Sequence, residues 1–139
     1  MTWKEVCEDP NLQDLPYKIE TNEWGQLILT RRTVLRGAYQ ARIGNFLSQS
    51  MQQQRIGEGV LNAAVQTAKG VKVADVAWFS KDRWQLMKHR YAASVAPEIC
   101  IEVFSPDTAL EAILEKKLLY FDAGAQEVWM CNSSGGMSF

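Results

Sequence analysis

Two stretches of the chain read as strands, yet each carries an acid amid apolar residues. Val71-Lys72-Val73-Ala74-Asp75-Val76-Ala77-Trp78-Phe79 and Ile99-Cys100-Ile101-Glu102-Val103-Phe104 are rich in β-branched and aromatic side chains. In the second, alternation puts Cys100, Glu102 and Phe104 on one face and Ile101 and Val103 on the other. Both faces are apolar, as in an interior strand. Tyr17–Glu20 and Gln26–Thr30 read as a hairpin around Asn22-Glu23-Trp24-Gly25. Val60–Gln66 and Glu127–Cys131 are further strands, with Gly57 and Gly59 as a break before the first of them.

Helical spacing appears in four places. Thr2 caps a short leading helix that Pro10 stops, and Ser80 caps a short helix over Lys81–Met87. Thr33 opens a long helix to about Gln53, with Val34, Leu35, Ala38, Ala41, Ile43, Phe46, Leu47 and Met51 at a broadly 3.6-residue period. Ser105-Pro106-Asp107-Thr108 leads into a helix ending near Ala123, where Gly124 supplies a C-terminal stop. In that helix Leu110, Ile113, Leu114, Leu118 and Phe121 are the expected buried stripe, with Lys117 near its middle and Lys116 at its margin beside Tyr120.

The main order, α-β-β-α-β-β-β-α-β, has no repeat and no linker. It predicts one α/β domain over residues 1–139, a mixed sheet flanked by helices. The chain stops a few residues after a turn at Ser133-Ser134-Gly135-Gly136, so a truncated C-terminal part is expected.

Composition narrows the choices. A length of 139 residues with 47% hydrophobic and 22% charged residues suits one globular core rather than a disordered chain. A formal net charge of −1 argues against a general polyanion coat, so nucleic-acid contacts must come from a local patch. Arg31, Arg32 and Arg36 form either such a patch or a plain charged surface, and His89 lies in the solvated basic stretch Lys88-His89-Arg90-Tyr91. Cys7, Cys100 and Cys131 lack zinc-site spacing and read as reduced thiols. There is no signal-peptide core, and no run approaches the roughly 18–20 apolar residues that span a membrane. A cytoplasmic protein is expected.

A carboxylate inside an apolar strand is costly unless a cation or hydrogen-bond donors meet it. Singly, Asp75 is compatible with backbone donors and Glu102 with a lysine partner. Taken as an ordered set with Lys116 and Lys117 on the next helix, they point to metal-dependent phosphodiester hydrolysis. Asp75, Glu102 and the Val103 carbonyl would supply oxygens to Mg²⁺ or Mn²⁺, and a lysine would position water or stabilise the phosphorane.

Three passages carry a family resemblance. These are Gly70–Trp78, Ile101-Glu102-Val103-Phe104-Ser105-Pro106 and Glu115–Trp129, with Leu15–Glu20 and Arg36-Gly37-Ala38-Tyr39-Gln40 before them. Together they resemble the Uma family of bacterial restriction-endonuclease-like proteins, within the PD-(D/E)xK nuclease superfamily. The resemblance covers nearly the whole chain from Leu15. It implies a restriction-endonuclease-like core, DNA as substrate, Asp75 and Glu102 as metal ligands and Lys116 rather than Lys117 as the site lysine. It also implies Glu20 as an accessory acid and a homodimeric assembly. Ala74 stands where the motif has proline. Asn62 stands where many members carry a glutamate, which removes a negative charge beside the metal. That loss and the short C-terminus raise the alternative of a catalytically impaired remnant that binds nucleic acid or protein.

Overall fold

The computed structural model describes residues 1–52, 57–132 and 136–138. Thr2 caps α1 (Trp3–Glu8), and Asp9 caps a separate turn of helix, α2 (Pro10–Gln13). Pro10 thus starts a helix as well as stopping one, because its fixed φ suits a first helical position. The hairpin follows as β1 (Tyr17–Thr21) and β2 (Leu27–Arg31), paired antiparallel as a two-stranded sheet of its own. Then come α3 (Val34–Gln52), β3 (Gly57–Thr67), β4 (Gly70–Ser80), α4 (Lys81–Met87), β5 (Ile99–Phe104), α5 (Leu110–Asp122), β6 (Glu127–Asn132) and β7 (Met137–Ser138). Gln53, the expected end of the long helix, and Ser133–Gly135 of the expected final turn lie outside the described residues.

The main sheet runs β3-β4-β5-β6-β7, antiparallel throughout except for the parallel β5–β6 pair that α5 connects. The two-residue β7 pairs with Met130 and Cys131. Ile99, Ile101 and Val103 of β5 pack with Ile43 and Leu47 of α3. Cys100 packs with Tyr120 of α5, together with Val128 and Met130 of β6. The central strand is therefore apolar on both faces because a helix covers each.

Three elements differ from what the sequence predicts. Gly57 and Gly59 lie within β3 rather than before it. A Cβ at Gly57 would fall 2.2 Å from the Phe79 carbonyl oxygen and 2.4 Å from the Trp78 ring, so glycine here permits close approach of β4. On α3, Val34, Leu35 and Phe46 are exposed, and the inward line runs Arg36, Gln40, Ile43, Leu47. On α5, Leu110, Leu114 and Leu118 face solvent, at 66%, 50% and 63% exposure. Its packed side is Ile113, Lys116, Lys117 and Tyr120, with Leu119 also buried.

The hairpin β1–β2 is clamped onto β4. Val71 N–H donates to Thr21 Oγ1 at 2.8 Å, Lys72 Nζ to the Thr21 carbonyl at 2.7 Å and Val73 N–H to Glu20 Oε2 at 2.6 Å. Gly70 has φ +93°, and a Cβ there would stand 2.5 Å and 2.6 Å from the carbonyl oxygens of Asn22 and Thr21. Gly70→Ala is expected to lose about 1–3 kcal/mol through backbone strain and displacement of the hairpin. Urea unfolding checks this; an unchanged midpoint would show that the hairpin does not press on the turn.

Candidate active site

Strand register brings the two acids together. Continuing the β4–β5 ladder one step beyond Val76↔Ile101 sets Asp75 beside Glu102. At that point side chains replace the backbone ladder: the Val103 N–H donates to Asp75 Oδ2 at 2.7 Å. On the other edge of β4, the β3 register passes from Leu61↔Val76 to Ala63↔Ala74 and skips Asn62 opposite Asp75. Asn62 sits at φ +55°, a conformation asparagine tolerates better than most residues. The Asp75 carbonyl left free there accepts from Gln40 Nε2 at 2.7 Å, and the same amide donates to Asn62 Oδ1 at 3.0 Å.

Around the acids the structure builds an alternating chain of charges: Glu20, Lys116, Glu102, Lys18, Asp75, Arg36. Lys116 Nζ lies 2.7 Å from Glu20 Oε2 and 3.2 Å from Glu102 Oε1. Lys18 Nζ lies 2.8 Å from Glu102 Oε2 and 3.2 Å from Asp75 Oδ1. Arg36 stands 3.9 Å from Asp75 Oδ2 and donates to the Val103 carbonyl. Tyr120, one helical turn after Lys116, donates its hydroxyl to Glu102 Oε1 at 2.6 Å. Three carboxylates are matched by three cations, which is why the core accepts acids that isolated burial would reject. Among the described residues, every buried side-chain nitrogen and oxygen has a hydrogen-bond partner.

The two acids titrate in opposite directions. Burial alone would push Glu102 up, but the charges of Lys116 and Lys18, with hydrogen bonds from Lys18 and Tyr120, bring it down to about 2. Asp75 is raised, by burial first and by the Glu102 charge second, which Lys18, the Val103 N–H and Arg36 only partly offset. The difference is one of partners: Glu102 has two ammoniums within 3.2 Å, whereas Asp75 has one. Burial works against the Lys18 ammonium, yet Glu102, Asp75 and Glu20 outweigh it and hold the group charged, above its ordinary value. The Tyr120 phenol is pushed well up by burial and the Glu102 charge.

Of the residues expected from sequence, Asp75, Glu102, Lys116 and Glu20 are joined in this one cluster. Lys116 carries the contacts to both glutamates, which replaces the helical-wheel preference for Lys117. Asn62 meets Gln40 rather than either carboxylate, and the Val103 carbonyl accepts from Arg36. Three members were missed by sequence reading: Lys18, Gln40 and Tyr120. The available signals were Lys18 two positions before Glu20 in one strand, and Tyr120 four after Lys116 in one helix.

Oxygens such as Asp75 Oδ1 and Glu102 Oε2 suit Mg²⁺ or Mn²⁺ in kind. Both lie within 3.2 Å of a single point, and that point is the nitrogen of Lys18. Among the described residues, no three or more of His, Cys, Asp and Glu are disposed to hold a metal ion. The donor pair therefore fits a cation, but in this arrangement the protein's own ammonium stands in its place. Beside Asp75 opens a cavity of about 60 Å³ lined by Lys18, Arg32, Thr33, Arg36, Gly37, Gln40, Asn62 and Asp75. A larger cavity of about 410 Å³, between α1, the hairpin and α4, shares Arg32 and Asn62 with it and adds Lys88 and Arg90. Among the described residues, no helix is long and apolar enough to cross a membrane.

Comparison with known proteins gives the family and the fold. Residues 11–136 match the family described as "Uma2: Putative restriction endonuclease". A crystal structure described as a "putative nuclease belonging to DUF820", from Anabaena variabilis ATCC 29413, superposes with a TM-score of 0.71 at 20% identity, covering 95% of this chain and 74% of that one. The fold is thus restriction-endonuclease-like, a mixed sheet flanked by helices. No curated protein matches the chain.

Proposed function

Since the chain belongs to the Uma2 family, we propose that it hydrolyses DNA phosphodiester bonds at Asp75, Glu102 and Lys116 with Mg²⁺ or Mn²⁺ as cofactor. The observation that carries this reading is the convergence of two buried carboxylates on one cation-sized point beside a cavity lined by arginine and lysine. Asp75 and Glu102 would hold the ion. Bound there, it would polarise a phosphoryl oxygen and make a coordinated water acidic enough to attack.

The chain's own residues supply the rest. The Lys116 side chain is 22% exposed against 3% for Lys18, so of the two it is the more open to a scissile phosphate. Glu20 fixes that ammonium beside Glu102, an accessory role. Glu102, whose carboxyl the Lys116 and Lys18 charges hold well below the usual carboxylate range, serves as an anion. Arg32 and Arg36 line the small cavity and suit a DNA phosphate, and Lys88 and Arg90 extend the cationic lining along the larger one.

Nicking of supercoiled DNA tests the proposal. Wild type is expected to cut in Mg²⁺ or Mn²⁺ and not in EDTA, with Asp75→Ala and Glu102→Ala at background. Lys116→Ala should fall by roughly 100-fold, the scale of losing one preorganised positive group at a developing charge. Cleavage insensitive to both acid substitutions would remove the site. A second reading has its own support: Lys18 between the acids and Asn62 away from them suit a non-hydrolytic nucleic-acid-binding remnant. Salt-dependent DNA binding without cleavage in any divalent metal would decide for it.

A further inference from the structure

The acids of the cluster come from β4 and β5, and the site lysine comes from α5. Lys18 comes from elsewhere, the hairpin strand β1, which is not part of the main sheet. Its side chain is 3% exposed, and its nitrogen touches one oxygen of each carboxylate, Asp75 Oδ1 and Glu102 Oε2. Glu20 and Thr21, bonded to the β4 backbone, hold β1 in register so that Lys18 arrives at that point. Mg²⁺ needs its oxygens at about 2.0–2.1 Å, so it cannot share them with an ammonium already seated between them. Two cations that close would also repel strongly in a site shielded from water.

We propose that Lys18 is a tethered cation that occupies the ion position between Asp75 and Glu102, so that seating of Lys18 and binding of a divalent ion exclude each other. The inference rests on the reading of Asp75 and Glu102 as the ion-binding pair. Resting protein is then neutral and closed at this site without metal. Binding a divalent ion requires the Lys18 ammonium to leave, and the cavity beside Asp75, which Lys18 already lines, gives it a place to go. Lys18 is thereby a positioning and regulatory residue, not a catalytic one. It sets the metal concentration at which the site opens.

The test is Mn²⁺ binding to the full chain, by calorimetry and by loss of the free Mn²⁺ paramagnetic signal, with no DNA present. Lys18→Met is expected to bind one Mn²⁺ more tightly than wild type by roughly 100-fold or more, because wild type binds the ion only in the small fraction of molecules whose Lys18 is unseated. Lys18→Met/Glu102→Gln should lose that gain. If Lys18→Met is unfolded in EDTA, the readout is recovery of helix and sheet circular dichroism as Mn²⁺ is raised to the order of 10 mM, since an ion bound only by the native state stabilises it. Two results would overturn the inference. One is wild type binding Mn²⁺ as tightly as Lys18→Met. The other is Lys18→Met neither binding nor refolding with the ion. Tight wild-type binding abolished by Glu102→Gln would leave the carboxylate site standing and remove only the role of Lys18, while the nicking assay judges hydrolysis separately.

Discussion

Lys18→Met, measured in EDTA at pH 7, is expected to lose about 3–5 kcal/mol of folding stability, the cost of removing one partner from a buried ion cluster. In a domain of this size that lowers the melting temperature by roughly 10 °C or more. The reason lies in what remains. Glu102 keeps Lys116 and the Tyr120 hydroxyl, whereas Asp75 keeps the Val103 N–H and a guanidinium 3.9 Å away. Two carboxylates then face each other across an apolar gap. Asp75 is already raised by burial and by Glu102, and loss of Lys18 raises it further. Lowering the pH from 7 to 5 should therefore narrow the deficit, the direction set by the raised Asp75 carboxyl. Lys18→Met/Asp75→Asn should likewise recover part of the loss at pH 7, because it removes the stranded charge. Urea unfolding at the two pH values checks all three expectations. A cost below about 1 kcal/mol at pH 7, typical of exposed pairs, would show that the ammonium is not seated between the acids.

That lysine was the least legible part of the site. Asp75 and Glu102 announced themselves because an acid within an apolar strand violates the local pattern, and the register of β4 on β5 then makes them neighbours. Lys18 violates nothing. A lysine in a short strand beside a turn reads as a surface residue until the hairpin is folded onto β4, a tertiary event that no local period encodes. Lys116 was legible only through family resemblance. Periodicity misplaces it because it makes the leucines of α5 the buried stripe, whereas Leu110, Leu114 and Leu118 face solvent and the packed side carries both lysines. The same inversion hid Gln40. Arg36 and Gln40 lie on the line of Ile43 and Leu47, so the inward face of α3 is polar at its first two turns, where it meets the site, and apolar beyond. Polar residues on the packed faces of α3 and α5 mark the point where core gives way to chemistry.

Acid titration gives the second large effect, and its sign follows from Glu102. Its carboxyl stands at about 2 in the folded protein against an ordinary 4.5, so the folded state favours the charged form. The stabilisation is complete above about pH 4.5 and is lost as pH falls through about 2. It amounts to about 3 kcal/mol, the free-energy equivalent of that depression. Asp75 works in the opposite sense. Its raised carboxyl takes up a proton in the folded state before it does in the unfolded chain, which offsets part of the loss at the upper end of the window. Stability should consequently change little from pH 7 to about 5 and then fall steeply toward pH 2. Two variants separate this from general acid unfolding. Lys116→Met removes the largest of the charges holding Glu102 down, and Tyr120→Phe removes only a hydrogen bond. Both should move the acid transition to higher pH, Lys116→Met by the greater amount. Urea midpoints recorded from pH 7 to 2.5 are sufficient to see it. Coincident acid transitions in all three proteins would mean that Glu102 is not held by this cluster and that Asp75 and Glu102 do not form one charge-balanced site.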